Sequence, residues 1–286
     1  MKTTVVTMYI SPNGGSSDEY IEKGRRLMAV NHPMIVTVGD EKARDAILQM
    51  REGKQTVVHV CPLDQLYFYR YRELIEQNRR MYWPTRDERC SSDIHIILLS
   101  KFKVMQKAME DNPFHTEYFA WMDFNMLTKK PYDSDHYTSD AVYEKLDQIF
   151  MNPRPNVTMT VIKYWDPSIY DRLLEFYHTY RYIVVGMFYT AEISIGKKVM
   201  EKVIAFAEFV TKQGFGHGEE HLFGRIIDQN VDDFTLVMGD YQDTIHNYYQ
   251  LSTNRHYVLP IMKEMKRNER FYKLLRENSI SLDQLN

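Results

Sequence analysis

A carboxylate and an amide stand two positions apart, directly after an aromatic and apolar run. The run Tyr118–Met122 (YFAWM) predicts a short buried strand, and Asp123 and Asn125 follow it. In an open α/β sheet, ligands bind just outside the carboxyl ends of the strands. Carboxylate and amide oxygens suit a divalent cation and, through it, a phosphate group. The competing interpretation is that Asp123 only caps a turn, where Asp and Asn are favoured.

Two further polar groups lie later in the chain and could share the same edge of a sheet. They are His217, Glu219 and Glu220, where a glycine-punctuated loop (GFGHGEEHLF) becomes a helix, and Asp240, Asp243 and His246, which follow a strand (FTLVM). Because parallel strands end at one edge, the acids after two such strands can face one ligand. His246 is a candidate metal ligand or phosphate contact.

The pair Glu219 and Glu220 allows two interpretations. Acidic residues at a helix start are stabilised by the helix dipole, by roughly 0.3–1 kcal/mol each. Alternatively, one of them is a general base that takes a proton from an attacking hydroxyl group. Neighbouring residues on a helix point about 100° apart, so at most one of the two faces a given substrate. The spacing does not say which one.

Three single residues complete the candidate set. Lys101 lies between apolar neighbours on an amphipathic helix, where a lysine is usually solvated but could instead reach an anionic ligand. Arg86 lies in a loop (WPTRDERCSS) and could grip a phosphate with two hydrogen bonds. Gly186 stands in the middle of a strand, which indicates a bulge or a group that approaches the backbone closely.

The order of the predicted elements indicates an α/β fold. Strands are predicted at residues 3–10, 34–38, 55–60, 118–122, 157–164, 182–190 and 234–238. Helices are predicted at residues 17–30, 41–51, 63–80, 94–110, 140–150, 167–177, 195–212, 219–229, 241–249 and 259–278. Strands that alternate with helices of this length are typical of βαβ units, and so of a Rossmann-like, mainly parallel sheet flanked by helices.

Composition excludes several classes of function. The 286 residues are 44% hydrophobic and 26% charged with a net charge of −3, so no basic field recruits nucleic acid. Cys61 and Cys90 are too few for a disulfide framework, and no apolar run approaches membrane-spanning length. We therefore expect a cytoplasmic protein without an anchor of its own. No P-loop, strand-anchored GxGxxG, GxSxG or HExxH motif is present.

Several of these pieces together resemble the HtrL/YibB family, which is glycosyltransferase-like and occurs in bacteria, nematodes and large DNA viruses. The pieces are NPFHTEYFAWMDFNM, an upstream Trp-Pro-x-Arg, Ser100-Lys101, and a downstream GEEHLF…LVMGDYQDTIHNYY. The resemblance extends from the first strand to about Tyr249. If the protein is viral, the expected compartment is the host cytoplasm.

The resemblance implies a GT-A-type architecture and a nucleotide-sugar-dependent glycosyltransferase. Residues 1–255 would form the catalytic domain, with a nucleotide-sugar-binding half (1–125) and an acceptor half (126–255), and residues 256–286 a helical cap. The donor would be a UDP- or GDP-sugar and the acceptor a glycan or glycoprotein. Asp123 and Asn125 would hold the donor diphosphate through Mn²⁺ or Mg²⁺. A homo-oligomer is compatible with the sequence.

The roles implied for the remaining candidates complete this hypothesis. Arg86 and Lys101 would bind donor phosphates, Gly186 would let the backbone approach the sugar, and Glu219 or Glu220 would deprotonate the acceptor. The acid-x-acid pattern of GT-A enzymes is altered, since Asn125 replaces the second acid, and an amide is a weaker ligand for a hard cation.

That departure leaves alternatives open. Either Asp240 or His246 helps Asp123 to hold the cation, which we favour, or Arg86 and Lys101 neutralise the diphosphate. Two other functions compete with the transferase. One is a metal-dependent phosphohydrolase that uses the same acids, and the other is a non-catalytic module that binds nucleotide-sugar or glycan.

Overall fold

The computed structural model describes residues 2–12, 14–81, 91–128, 137–162, 172, 175, 183–216, 218–239, 241 and 244–250. The helix predicted at residues 167–177, apart from two positions, and the cap at residues 256–286 lie outside the described residues. The same holds for four candidate site residues, Arg86, His217, Asp240 and Asp243.

The described strands form one seven-stranded sheet in the order β3-β2-β1-β4-β6-β5-β7. The strands are β1 (Thr3–Tyr9), β2 (Met34–Val38), β3 (Thr56–Val60), β4 (Tyr118–Met122), β5 (Val157–Val161), β6 (Val184–Glu192) and β7 (Phe234–Met238). All pairs are parallel except those of β6, which is antiparallel to both β4 and β5. The predicted mainly parallel α/β sheet is therefore confirmed, and all seven strands were predicted to within three residues.

Helices cover both faces of this sheet. They are α1 (Asp18–Lys23), α2 (Arg25–Met28), α3 (Glu41–Met50), α4 (Arg72–Met81), α5 (Ser92–Asp111), α6 (Ala141–Met151), α7 (Ile193–Lys212) and α8 (Glu219–Gln229). Successive strand residues point to opposite faces, so Val6 packs with α4, α5, α7 and α8, while Val5 packs with α1, α2, α3 and α6. Among the described helices, none combines the length and apolar character that crossing a membrane requires.

Two predicted helices are interrupted, and residues 241 and 244–249, the described part of the helix expected at residues 241–249, form turns instead. The helix expected at residues 17–30 is divided at Gly24, and the ring of Phe124 occupies the space beside that glycine. The helix expected at residues 63–80 begins only at Arg72 and follows two short 3-10 turns. Within the second turn, the N–H of Phe68 donates to Oγ of Ser100 on α5 (3.3 Å), so α5 supplies the acceptor that an α-helix would have provided.

The direction of β6 decides which residues meet at one edge of the sheet. Since β6 runs opposite to its neighbours, its first residues lie beside the carboxyl ends of β4 and β5. The backbone N–H of Asp123 accordingly donates to the carbonyl of Met187 (2.9 Å). The turn after β4 and the segment around Gly186 therefore form a single rim.

A buried arginine contacts the segments at the opposite edge of the sheet, where β2 and β3 begin. Arg51 is 2% exposed, and its guanidinium donates to the carbonyls of Met28 (3.2 Å), His32 (2.8 Å) and Gln55 (3.1 Å), and also to that of Val30. Burial lowers the pKa of Arg51 to about 10, so the side chain is still charged at neutral pH. One cation thus satisfies backbone carbonyls from the segments before β2 and β3.

We expect Arg51→Met to lower the free energy of unfolding by on the order of 3 kcal/mol, because several buried carbonyls lose their donor. The matched control is Arg44→Met, which removes an exposed arginine that pairs with Asp45 on α3 and should cost less than about 1 kcal/mol. Urea unfolding followed by circular dichroism measures both values. Equal losses for the two variants would contradict the structural role of Arg51.

Candidate functional site

Asp123 is fixed at the rim by its own strand. The indole N–H of Trp121, two residues earlier, donates to Oδ1 of Asp123 (3.0 Å). The carbonyl of Asp123 accepts from the N–H of Met126 (2.9 Å), which closes the turn after β4. The predicted position of this carboxylate, directly after a buried strand and at the carboxyl edge of the sheet, is observed.

Phe124 anchors the turn from the inside. Its ring stacks on Tyr9 with centroids 5.1 Å apart, and Tyr9 in turn stacks on Tyr20 at 4.8 Å. A Cβ atom at Gly24 would lie 2.1 Å from this ring, so the close fit requires glycine there. Phe124 is buried, whereas the neighbours Asp123 and Asn125 are only partly buried. The turn therefore has two partly buried polar residues, Asp123 and Asn125, on either side of a buried aromatic residue.

Lys101 is buried in the centre of this region. Its ammonium donates to Oε1 of Glu219 (2.7 Å) and to the carbonyl of Gly186 (2.8 Å), and Lys101 is 1% exposed. The ammonium also lies 5.5 Å from the ring centroid of Trp121, within cation–π range. The sequence indicates that Lys101 could reach an anionic ligand, and the anion that it contacts is Glu219 of the protein itself. Its predicted contact with donor phosphates stays a prediction.

Gly186 makes room for this ion pair. A Cβ atom built there would lie 2.7 Å from Cγ and 2.8 Å from Oε1 of Glu219. The pairing register between β5 and β6 also shifts in this region, between Met159 and Val161. Of the two alternatives predicted for Gly186, a bulge or a group close to the backbone, the close approach is therefore observed. The approaching group is the Glu219 carboxylate, and the role of Gly186 beside a donor sugar stays a prediction.

Glu220 has a different environment from its neighbour. The phenol of Tyr241 donates to Oε1 of Glu220. Burial is the largest cause that raises the pKa of Glu220, the carboxylates of Glu219 and Asp123 also raise it, and the Tyr241 hydrogen bond and the charge of Lys101 oppose the rise; the resulting pKa is about 8. Glu219, Asp123, Tyr241 and Lys101 therefore all lie within electrostatic reach of Glu220. The two glutamates are thus distinguished: Glu219 is paired with a lysine, and Glu220 is protonated near neutral pH.

No role is predicted from the sequence for Tyr241 or Tyr137, whose hydroxyl groups hold this arrangement together. Tyr137, fully buried, donates its hydroxyl hydrogen to the carbonyl of Tyr241 and so fixes the residue that contacts Glu220. Tyr241 belongs to the Gly-Asp-Tyr piece of the family resemblance, which was the available signal. Tyr137 lies at the end of the polar stretch that follows Asn125, and nothing in its local pattern marks it.

The candidate metal ligands are only partly within the described residues. His246 lies in the described segment 244–250, half-buried between the buried residues Ile245 and Asn247. Over the described ranges, no group of three or more His, Cys, Asp and Glu side chains is arranged to hold a metal ion. Asp123 and Asn125 supply hard oxygen ligands, and Mg²⁺ is commonly held by one or two carboxylates plus substrate phosphates. The donor set therefore fits such a cation, with Asp240 outside the described residues.

Comparisons with known proteins give one sequence family. The profile described as "Bacterial protein of unknown function (HtrL_YibB)" matches residues 7–243. No curated protein sequence matches the chain.

Two solved structures are similar at low identity. Core-mannan synthase A from Aspergillus fumigatus, in its Mn/GDP form, is 10% identical with a TM-score of 0.47, and the match covers 82% of this chain and 72% of that one. Mouse xyloside xylosyltransferase 1, in its apo form, is 10% identical with a TM-score of 0.38, covering 88% of this chain and 95% of that one.

The buried ion pair yields a stability prediction. We expect Lys101→Met to lower the free energy of unfolding by about 3–5 kcal/mol, because Glu219 is left buried without its cation. The double variant Lys101→Met/Glu219→Leu should recover much of this loss, since no unpaired charge remains. Lys107→Met, on the exposed side of the same helix, should cost less than about 1 kcal/mol. Urea unfolding of the four proteins checks the prediction, and a double variant less stable than the single one would contradict it.

The raised pKa of Glu220 predicts a pH dependence of stability. A carboxyl group whose pKa is about 8 in the folded protein and about 4.3 in the unfolded one holds its proton more tightly when folded. Its contribution to the free energy of unfolding is therefore complete below about pH 4 and is lost as the pH rises toward 8. Glu220→Gln should make the free energy of unfolding depend less on pH between about 4 and 8. Urea unfolding at several pH values measures this dependence. The exposed Glu52→Gln should leave it unchanged, and a similar reduction by both would contradict the assignment.

Proposed function

The chain belongs to the HtrL_YibB family, and from its rim site we propose that it is a glycosyltransferase that moves a sugar from a nucleotide-sugar to a glycan hydroxyl group. The observation that carries this proposal is the grouping of Asp123 with two differently held carboxylates, Glu219 and Glu220. A transferase of this kind needs one group for the donor diphosphate and another that accepts a proton from the acceptor.

The location of the site supports this proposal. It lies at the carboxyl edge of a mainly parallel sheet, where α/β proteins bind their ligands. Both halves of the chain contribute to it, since Asp123 follows β4 and Glu220 lies in the first turn of α8. We propose that the first half binds the donor and the second half the acceptor.

In the proposed mechanism, Asp123 and Asn125 would hold the donor diphosphate through a divalent cation. A bound Mn²⁺ or Mg²⁺, held by these two residues with Asp240 or His246, would neutralise the negative charge on the diphosphate. We assign the direct phosphate contact to Arg86, because the charge of Lys101 is already paired with Glu219. Lys101 and Gly186 then position Glu219, and through it the start of α8.

We assign the role of general base to Glu220. The ionised form of its carboxyl group takes the proton of the acceptor hydroxyl as that oxygen forms a bond to the anomeric carbon of the sugar. The bond between this carbon and the diphosphate oxygen breaks, and the nucleoside diphosphate leaves with the bonding electron pair. A base with a pKa near the working pH is suited to this transfer, and the pKa of Glu220 is about 8.

One observation favours a second candidate function. Asn125 stands where a second acid would strengthen cation binding. A protein that only binds a nucleotide-sugar, without transferring the sugar, would not need a second acid at this position to bind the cation more tightly. The experiment below therefore measures binding and transfer separately.

We expect a UDP- or GDP-sugar to raise the melting temperature of the protein, and more so with Mn²⁺, because a ligand of the folded state stabilises it. Asp123→Ala should abolish this shift. Glu220→Gln should keep the shift but lower the rate of sugar transfer by about 10²–10⁴-fold, the usual contribution of a general base. The control is Glu144→Gln, an exposed change on α6.

Two results would contradict the proposal. Full transfer activity in Glu220→Gln would remove Glu220 from the mechanism. Donor binding without transfer, across a broad set of glycan acceptors, would favour the non-catalytic module instead.

A further inference from the structure

A second cavity lies on the other flank of α5, away from the rim site. It has a volume of about 380 Å³ and is enclosed by β2, β3, the 3-10 turns and α5. Ser100, Lys103 and Lys107 of α5 line it, whereas Lys101 points toward Gly186 and Glu219. One helix therefore separates two sites, and the cavity shares no lining residue with the rim.

The walls of this cavity are mainly apolar. Ile35 and Val60 of the sheet, Leu66 of the 3-10 turns, and Val104 and Ala108 of α5 form them. A volume of this size falls within the roughly 300–1,000 Å³ range of small-molecule sites, which combine apolar walls with a few polar groups. The walls therefore suit the hydrocarbon part of a ligand.

The charge at this cavity is positive. Its lining contains Lys103 and Lys107 but no carboxylate. The ammonium of Lys103 donates to the neutral amide oxygen of Gln106 (2.6 Å), while Lys107 pairs with Asp111 (2.9 Å) outside the cavity. Since Asp111 offsets the charge of Lys107, the cavity offers about one uncompensated positive charge, which matches a monoanion better than a phosphate dianion.

The aromatic side chain at the cavity already contacts two cationic groups. Tyr67 lines the cavity, but the guanidinium of Arg70 lies 3.9 Å from its ring centroid and the ammonium of Lys103 lies 5.5 Å from it. Nucleobases are usually held by stacking on an open aromatic face. The aliphatic walls and the occupied ring thus favour a flexible hydrocarbon chain over a nucleotide.

We propose that this cavity binds a medium-chain aliphatic carboxylate. The chain packs against Ile35, Leu66 and Val104, and the carboxylate pairs with Lys103, beside the Lys107–Asp111 pair. The site is separate from the proposed transferase site and does not depend on it.

The probe for this site is decanoate, titrated into the full chain by isothermal calorimetry. We expect one binding site per chain, an at least tenfold weaker affinity in Lys103→Glu/Lys107→Glu, and unchanged affinity in Lys145→Glu, an exposed lysine on α6 against the opposite face of the sheet. Decanol, which lacks the charge, should bind at least tenfold more weakly than decanoate. Melting temperatures without ligand establish that the variants are folded.

A second measurement locates the ligand. Cys61 lines the cavity, so in a Cys90→Ser background decanoate should slow the reaction of this thiol with a disulfide reagent. Equal affinity for decanol, equal weakening by Lys145→Glu, unprotected Cys61, or displacement of decanoate by a nucleoside monophosphate would each overturn the proposal. No measurable binding of decanoate would do the same.

Discussion

The rim site depends on one buried ion pair, that of Lys101 with Glu219. Removing a lysine and a carboxylate from water costs several kcal/mol for each ion, and their attraction offsets this only when the remaining hydrogen bonds are also made. Here the carbonyl of Gly186 takes a second ammonium hydrogen. The missing side chain at Gly186 is what allows the carboxylate to come close enough. Three elements, α5, β6 and α8, therefore meet at one charged contact.

The antiparallel direction of β6 makes this contact relevant to Asp123. Were β6 parallel to β4, its first residues would lie at the opposite edge of the sheet, far from the turn after β4. As it is, Met187 accepts the N–H of Asp123 one residue after Gly186 accepts from Lys101. The same short segment of β6 thus positions both the carboxylate turn and the ion pair. Backbone atoms of β6 thus link the turn that carries Asp123 to the Lys101–Glu219 pair.

Much of the fold could be read from local pattern, and much of the site could not. The β-branched and apolar runs predicted all seven strands, because strand burial leaves a local signature. The amphipathic pattern of α5 says nothing about the burial of Lys101, whose partner Glu219 lies 118 positions away. The prediction of a continuous helix at residues 63–80 was wrong for a related reason. The N–H of Phe68 donates to Ser100 of α5, which is not a neighbour in sequence. Asp123 was found because it needs only the strand before it, whereas Tyr137 and Tyr241 act through tertiary contacts alone.

The ion pair also explains why two adjacent glutamates differ. A helix start favours both acids equally, and only the turn of about 100° between them separates their surroundings. Glu219 faces the interior, where Lys101 balances its charge, so Glu220 is left with a neutral phenol as its hydrogen-bond partner. A buried carboxyl group beside a charged one resists ionisation, and the raised pKa of Glu220 follows from both causes. Pairs of titratable groups pushed apart in this way are how proteins assign separate roles to identical side chains. The lysine therefore distinguishes Glu220 without contacting it, by pairing with its neighbour.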